Sequence, residues 1–217
     1  MTRLAVVGTD TGVGKTVVTA GLVGRLRATG IDARAVKPAQ TGHPPDDDAA
    51  FVREVCGDAA AATCLRYLEA PLAPAVAAKR KNVDLSYHAI RAAADTALSE
   101  SEVGILEGIG GLHVPLADGK EVIDLVADLD CPAIVVARPA LGTLNHTTLT
   151  VEALTCRSVP VEGVVINSYA GKSVAERTNP AVLDEMIDPP VHTFPSLNLD
   201  DPSVIVGAAG HELPRFV

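Results

Sequence analysis

The sequence lacks an excess of positive charge. Its 18 lysines and arginines are outnumbered by 27 aspartates and glutamates, so the formal net charge is −9 and the pI is about 5.1. An acidic surface repels both phosphate backbones and anionic lipid headgroups. The charge balance therefore argues against a protein that binds nucleic acid or a membrane surface, and any phosphate chemistry must depend on a local site.

Long apolar runs and cysteine motifs are also missing. No stretch approaches the roughly 18 uninterrupted apolar residues that a membrane-spanning helix needs, and the first residues lack the apolar core and cleavage site of a signal peptide. Cys56, Cys64, Cys131 and Cys156 show no Cys-x-x-Cys spacing, so we expect reduced thiols in the core rather than a disulfide or a metal site. No Gly-x-Ser-x-Gly segment marks a serine hydrolase. Together these absences predict a cytoplasmic protein.

The order of the hydrophobic segments predicts the fold class. Continuously apolar segments are typical of strands buried on both faces, and here they alternate with segments of helical periodicity. This order predicts a doubly wound, mostly parallel sheet with helices on both faces, folded as one domain over residues 1–217. The predicted strands are residues 4–7, 33–36, 103–106, 133–137 and 164–166; the predicted helices are 16–27, 49–55, 87–98, 122–129, 147–155 and 180–186; the longest irregular stretches are 38–45 and 69–83.

A glycine-rich segment between the first strand and the first helix reads GTDTGVGKT at positions 8–16. Glycines let successive backbone N–H groups face an anion, and the helix amino terminus adds its positive dipole end. Lys15 can then reach the β- and γ-phosphates of a nucleotide, and the Thr16 hydroxyl can serve Mg²⁺. An ordinary glycine-rich turn is the alternative, but the Gly-Lys-Thr ending in this context favours a nucleotide site. Thr9 departs from the usual pattern, which has glycine there.

Charged residues also follow the next predicted strands. Lys37 follows the second predicted strand, at the edge where open α/β sheets bind ligands. A lysine there can stabilise a phosphoryl group during its transfer. The alternative is an ordinary surface lysine at the end of a strand. Glu107 ends the strand at 103–106 and precedes glycines, which suits a magnesium ligand; the alternative is a solvated carboxylate. The aspartates at 46–48 precede a helix and can cap it, bind metal or do both.

Six segments together make the sequence resemble the dethiobiotin synthetases of biotin synthesis. They are GTDTGVGKT at 8–16, VKPAQTG at 36–42, the aspartates at 46–48, LEGIGGLHVPL at 106–116, GTLNHTTLT at 142–150 and VVIN at 164–167. The resemblance implies a P-loop ligase that uses ATP and Mg²⁺ to close a ureido ring from 7,8-diaminopelargonic acid and CO2. It also implies a homodimer with the substrate at the interface.

The same resemblance implies roles for individual residues. Lys15 and Lys37 would be catalytic, and Thr16, Asp48 and Glu107 would hold the metal. Residues implied in substrate binding are Thr11, Lys37, Thr41, Gly110 and, from the neighbouring subunit, Asn145. Residues implied in nucleotide binding are Gly12, Val13, Gly14, Lys15, Thr16, Val17, Asp48, Glu107, Gly108, Ile109, Gly110, Asn167, Ser168, Pro195, Ser196 and Leu197. The sequence departs from the family at Ile109, where alanine is common, and at Ser168, where aspartate is often found.

Two other functions are compatible with the P-loop. A partition or septum-positioning ATPase would share the fold, but such proteins carry an additional lysine early in the loop, and here no lysine precedes Lys15. A small-molecule kinase would need an arginine-rich lid, and no such cluster follows the predicted strands. Both alternatives predict ATP turnover that does not depend on a diamine and bicarbonate.

Overall fold

Seven parallel strands form the central sheet in a computed structural model that describes residues 1–214 and residue 216. The strands, numbered along the chain, are in spatial order β11 (Val191–Pro195), β10 (Val161–Tyr169), β9 (Ala133–Ala137), β1 (Thr2–Gly8), β6 (Val103–Glu107), β2 (Ala33–Lys37) and β4 (Ala62–Cys64). All neighbouring pairs run parallel. The carboxyl ends of β1, β2 and β6 therefore meet at one edge, where Gly8, Lys37 and Glu107 stand.

In the part of the chain that the structure describes, eight α-helices cover the two faces of this sheet. They are α1 (Lys15–Ala28), α2 (Asp48–Cys56), α3 (Pro74–Lys81), α4 (Tyr87–Leu98), α5 (Val122–Asp128), α6 (Thr143–Cys156), α7 (Val174–Met186) and α8 (Pro202–Glu212). Leu4 and Val6 of β1 pack with α1, α2 and α8, whereas Ala5 and Val7 pack with α3, α4, α5 and α6. Since alternate side chains of β1 enter two separate cores, both sets must be apolar.

Two short strand pairs lie beyond the main sheet. β3 (Gln40–Thr41) runs parallel to β5 (Tyr67–Leu68), and β7 (Pro115–Ala117) runs antiparallel to β8 (Lys120–Glu121). β3 follows the carboxyl end of β2, and β7 follows the glycine-rich segment after β6. The first strand of each pair therefore lies in the segment that follows Lys37 or Glu107.

The predicted doubly wound parallel sheet is confirmed, with differences at particular elements. The prediction that residues 69–83 are irregular is wrong, because α3 begins with Pro74 in its first turn and ends at Asn82 in a left-handed conformation. α7 begins at Val174 rather than at Pro180, since the Ser173 hydroxyl caps it by accepting the N–H of Glu176 at 3.1 Å. α6 begins four residues before the predicted start, and β11 and α8 have no predicted counterpart.

Two smaller observations bear on the expectations from the sequence. Cys131 is buried in the core as expected, but Cys156 is exposed at the end of α6, so the thiols are not all core residues. Within residues 1–214 and 216, none of the helices combines the length and the apolar character needed to cross a lipid bilayer.

Close packing between α1 and α8 depends on two glycines of α1. A Cβ atom at Gly21 would lie 2.9 Å from the Cβ of Ala209, and one at Gly24 would lie 2.6 Å from a methyl carbon of Val206. Real Cβ atoms do not approach other carbons so closely, so the two helices can pack at this distance only because both positions are glycine. α1 begins at the glycine-rich loop, which makes α8 a support for the helix behind that loop.

We expect Gly21→Val to lower the free energy of unfolding by roughly 1–3 kcal/mol, the usual cost of forcing carbon atoms into a filled interface. Gly207→Ala in α8 is the matched control, because a Cβ there meets no atom within 4 Å. Alanine in an open helical position should raise the stability by about 0.5–1 kcal/mol. Urea unfolding of both variants measures these changes, and a stable Gly21→Val protein would contradict the packing argument.

Candidate active site

The glycine-rich loop between β1 and α1 is held from two sides. Gly12 and Gly14 have φ values of 74° and 92°, and a Cβ at Gly14 would collide with the Asn167 amide. On the other side, Asp10 accepts the Thr11 N–H at 2.7 Å and forms an ion pair with Arg138, which directly follows β9. These two contacts lower the pKa of Asp10, that of the Thr11 N–H having the larger effect. The loop conformation is therefore fixed by contacts to β9 and β10.

Lys15 is buried and faces backbone carbonyls rather than a carboxylate. Its Nζ donates to the carbonyl oxygens of Asp10 at 3.0 Å and Gly110 at 2.9 Å. Burial and then the nearby positive charge of Lys37 lower the pKa of Lys15 to about 8. An ammonium group without a directly bonded counter-ion is well suited to receive the negative charge of a phosphate.

Lys37 and Glu107, both buried at the ends of β2 and β6, form a charged cluster with the half-buried Asp48 at the start of α2. The Lys37 Nζ donates to Glu107 Oε1 at 2.9 Å and to the Gly108 carbonyl at 3.0 Å, and it forms an ion pair with Asp48. Burial alone would lower the pKa of Lys37, but the two carboxylates outweigh it and raise this pKa. Burial raises the pKa of Glu107. At Asp48, burial also acts to raise the pKa, but the positive charge of Lys37 has the larger effect together with its hydrogen bond, so the pKa of Asp48 is lowered.

The oxygen atoms around Lys37 are suitable donors for a divalent cation. The Thr16 hydroxyl donates to Glu107 Oε1 at 2.8 Å, so Thr16 and Glu107 meet beside the ammonium group that also contacts Asp48. In the described residues, no three His, Cys, Asp or Glu side chains group together as a metal site. Two carboxylates and a hydroxyl nevertheless fit Mg²⁺, which binds few protein oxygens and completes its shell with water and phosphate.

Two of the three consecutive aspartates, Asp47 and Asp48, have different roles. Asp47 caps α2 by accepting the N–H of Ala50 at 2.9 Å, and its carboxylate also accepts the Tyr67 hydroxyl at 3.2 Å. Asp48 instead faces Lys37, while its own N–H donates to the Gln40 side chain at 3.1 Å. Capping and a place in the charged cluster therefore belong to neighbouring residues, and Gln40 fixes where α2 begins.

A cavity of about 650 Å³ opens above the loop and the charged cluster. It brings together many of the residues predicted from the sequence: Thr11, Gly12, Gly14, Lys15, Thr16, Val17, Lys37, Thr41, Asp48, Ile109 and Gly110. The cavity wall also contains eight residues to which the sequence analysis assigned no role: Ala39, Gln40, Phe51, Pro71, Leu72, Ala73, Val114 and Leu199. Ala39, Gln40 and Val114 fall within the family segments quoted above, whereas no motif marks the other five, which only their proximity in the fold identifies.

Other predicted residues lie outside the cavity wall. Val13, Glu107, Gly108 and Asn167 are buried, and the Asn167 amide donates to the Val13 carbonyl at 2.9 Å beneath the loop. Ser168 is exposed with φ 56°, Pro195 and Leu197 are half-buried, and the exposed Ser196 donates its N–H to Tyr169 at 3.3 Å. Asn145 is exposed on α6. The roles of these residues stay predictions.

Comparisons with known proteins give the family and, separately, the fold. Residues 2–194 match a family described as an AAA domain. A protein of Haloferax mediterranei named ATP-dependent dethiobiotin synthetase is 59% identical over 97% of this chain and 90% of its own length. One of the same name from Mycobacteroides abscessus is 45% identical over 88% of this chain and 85% of its own. A ParA family ATPase structure from Chlorobium tepidum covers 97% of this chain and 99% of its own with a TM-score of 0.64, but at 14% identity it shows the fold alone.

Proposed function

Because the chain belongs to the family of ATP-dependent dethiobiotin synthetases, we propose that it closes the ureido ring of dethiobiotin from 7,8-diaminopelargonic acid, CO2 and ATP. Membership of this family makes it an ATP-dependent ligase of biotin biosynthesis. The observation that carries the proposed reaction is that Lys15 and Lys37 both line the cavity of about 650 Å³ beside the glycine-rich loop.

The proposed chemistry has three steps. A substrate amine attacks the carbon of CO2 and loses a proton, which gives a carbamate anion. A carbamate oxygen then attacks the γ-phosphorus of ATP, and ADP leaves. The second amine attacks the carbamic carbonyl carbon and loses a proton as phosphate leaves, which closes the ring. Each early species is an anion, so Lys37 and Lys15 stabilise negative charge where it develops.

The remaining residues of the family pattern have supporting roles. Gly12, Val13, Gly14 and Val17 present backbone N–H groups to the phosphates, and residues 107–110 lie along nucleotide and substrate. Thr16, Asp48 and Glu107 would hold Mg²⁺, which would supply positive charge to the β- and γ-phosphates. Thr11 and Thr41, both in the cavity wall, contact the diamine or carbamate. We place Asn167, Ser168 and residues 195–197 around the base, all within one domain.

A homodimer completes the proposed site through Asn145. This residue is exposed on α6 and absent from the cavity of its own chain, and Leu141 and Leu149 expose 84% and 55% of their surface on the same segment. In the proposed dimer these two leucines would be buried against the neighbouring subunit. Closed two-fold symmetry is the usual arrangement for a homo-oligomer, so each subunit would contribute its Asn145 to the substrate site of its neighbour.

Mixing Lys37→Ala subunits with Asn145→Ala subunits should therefore restore activity that neither variant has alone. In a mixed dimer, one site combines both defects and the other combines two intact partners. Dethiobiotin formation is measured after subunit exchange has been verified with two differently tagged chains. No recovery in the mixed dimers would refute a role for Asn145 in the neighbouring site.

Nucleotide selectivity should be weak. The amide of Asn167 and the hydroxyl of Ser168 can each donate or accept, so no fixed polar atom is left unpaired by another base. We expect GTP or CTP to support kcat/KM within about a hundredfold of ATP, because the phosphates supply most of the binding. Initial rates with four triphosphates at saturating diamine and bicarbonate test this. A preference for ATP above ten-thousandfold, the range of strict hydrogen-bond readout, would contradict it.

The proposed reaction is distinguished from a regulatory ATPase or a kinase by its dependence on two substrates. ADP release should require both 7,8-diaminopelargonic acid and bicarbonate, and dethiobiotin should form in equal amount. Complementation of a dethiobiotin-requiring auxotroph tests the same function in cells. ATP hydrolysis that ignores both substrates, without dethiobiotin formation, would overturn the proposed reaction.

A further inference from the structure

The cavity has two apolar ends on either side of its charged centre. Pro71, Leu72, Ile109 and Val114 line one end, near Thr11 and Thr41. Val17, Phe51 and Leu199 line the other end. Lys15, Lys37 and Asp48 lie between the two. A ligand with charge in its middle and apolar surface at one side would therefore occupy one end together with the centre.

The two ends belong to opposite faces of the sheet. Phe51 and Val17 pack against the core that α1, α2 and α8 share, and Leu199 lies in the segment that enters α8. Ile109 packs against the core on the other face, which includes α3 to α6. The end lined by Phe51 is thus formed where three helices of one face approach each other.

The direction of a bound phosphate chain decides which ligand each end takes. In a P-loop the lysine reaches the β- and γ-phosphates, and the backbone of the loop and the following helix holds the α- and β-phosphates. The γ-phosphate therefore lies near Lys15 and Lys37, beside Thr11 and Gly110. The chain then continues over Thr16 and Val17. The nucleoside, attached at the α-phosphate, must leave the loop on the Val17 side.

We propose that Phe51 and Leu199 bind the nucleoside of ATP through apolar contact, with the Phe51 ring as the main contributor. This inference rests on the proposed function. Phe51 is half-buried and lies in the cavity wall, and Leu199 lies in the same wall with 46% of its surface exposed. Every base has an apolar face, so contact with an aromatic ring binds a base without selecting it.

The polar candidate for base recognition does not lie in the same cavity wall. Asn167 is 5% exposed and uses an amide proton on the Val13 carbonyl at 2.9 Å. Its contact with the loop holds Gly14 in place, so part of its hydrogen-bonding capacity serves the loop. Phe51 and Leu199 add apolar surface to whatever polar contact Asn167 makes with the base, and this surface accepts purines and pyrimidines alike.

The experiment compares ATP with inorganic tripolyphosphate, which has the phosphate chain but no nucleoside. Calorimetric titration in the presence of Mg²⁺ gives the Kd of both ligands for the wild type and for Phe51→Ala. We expect Phe51→Ala to weaken ATP binding roughly tenfold or more, within the range for lost aromatic stacking on a base. Binding of tripolyphosphate should change less than twofold. Leu72→Ala, at the opposite end, should leave the Kd of ATP within twofold of wild type.

Two further variants guard against a purely structural effect. Phe51→Leu keeps apolar packing against α1 but loses the ring, so it should bind ATP with an affinity between those of wild type and Phe51→Ala. Leu199→Ala changes an exposed side chain and should weaken the binding of ATP but not that of tripolyphosphate. This variant still tests the inference if Phe51→Ala does not fold. Equal losses for both ligands, or no loss of ATP affinity, would overturn the inference. Failure of the proposed function is distinguishable, because diamine-dependent dethiobiotin formation would then be absent from the wild type itself.

Discussion

Lys37→Ala should lower turnover by about a hundredfold or more while nucleotide binding persists. Losing one preorganised cation that faces developing charge costs ~3 kcal/mol or more of transition-state stabilisation. Lys37 contacts Glu107 and Asp48 rather than the glycine-rich loop, so the backbone groups that bind phosphate remain. Rates at saturating substrates and the Kd of ATP measure the two effects separately, and turnover within threefold of wild type would exclude Lys37 from the reaction.

The same substitution should also change stability in a way that depends on Mg²⁺. Glu107 is 2% exposed, and removal of Lys37 leaves it beside Asp48 without a positive partner. Breaking a buried ion pair from one side costs roughly 3–5 kcal/mol. We expect a lower Tm for Lys37→Ala in chelator and a larger rise in Tm on adding Mg²⁺ than wild type shows. Lys15→Ala is the comparison, because Lys15 bonds only carbonyls; it should lose ATP affinity without this dependence on Mg²⁺.

Glu107→Gln and Asp48→Asn should each raise the Mg²⁺ concentration needed for half-maximal activity by roughly tenfold or more, since even indirect changes around a metal cost that much affinity. Each variant keeps the shape of the side chain and removes one negative charge. Titration of activity with Mg²⁺, and of binding with Mn²⁺ by electron paramagnetic resonance, gives the two measurements. The wild type sets the reference in both.

Asp47→Asn is the control for this pair. Asp47 caps α2 and accepts the Tyr67 hydroxyl, and asparagine caps helices as well as aspartate does. Its Mg²⁺ requirement should therefore stay within about twofold of wild type, because the Asp47 carboxylate faces Ala50 and Tyr67 and asparagine preserves the cap. A sensitive Asp47 beside an insensitive Asp48 would show that the acidic run serves the metal in a different register.

The central part of this fold and site could be predicted because local sequence determines it. Continuous apolar segments predicted the inner strands, and the Gly-Lys-Thr ending placed Lys15 and Thr16 at the start of α1. Lys37 and Glu107 were found because each ends a strand, and ends of parallel strands share one edge. That Lys37 bonds Glu107 at 2.9 Å follows from the fold, not from either segment alone.

The missed features depend on distant parts of the chain. α8 contains β-branched residues and two glycines, which disfavour a helix, and it is helical because its side chains fill the space that Gly21 and Gly24 leave on α1. β11 is an edge strand with only Phe194 fully buried, so its pattern is weak. Phe51 and Leu199 line the same cavity because α2 and α8 both pack on α1, which no local pattern encodes.

The position of β1 in the sheet also affects how the chain folds. β1 pairs with β6 and β9, so that Ala5 lies opposite Leu106 on one side and opposite Ala133 on the other. Both partner residues are about a hundred or more positions later in the chain. During synthesis this apolar strand exists long before either neighbour, and its backbone groups stay without their final partners. Pairing over such separations slows folding and exposes intermediates to aggregation. We expect a newly made chain to need protection from aggregation until β9 has left the ribosome. β1 can then pair with both of its neighbours, β6 and β9.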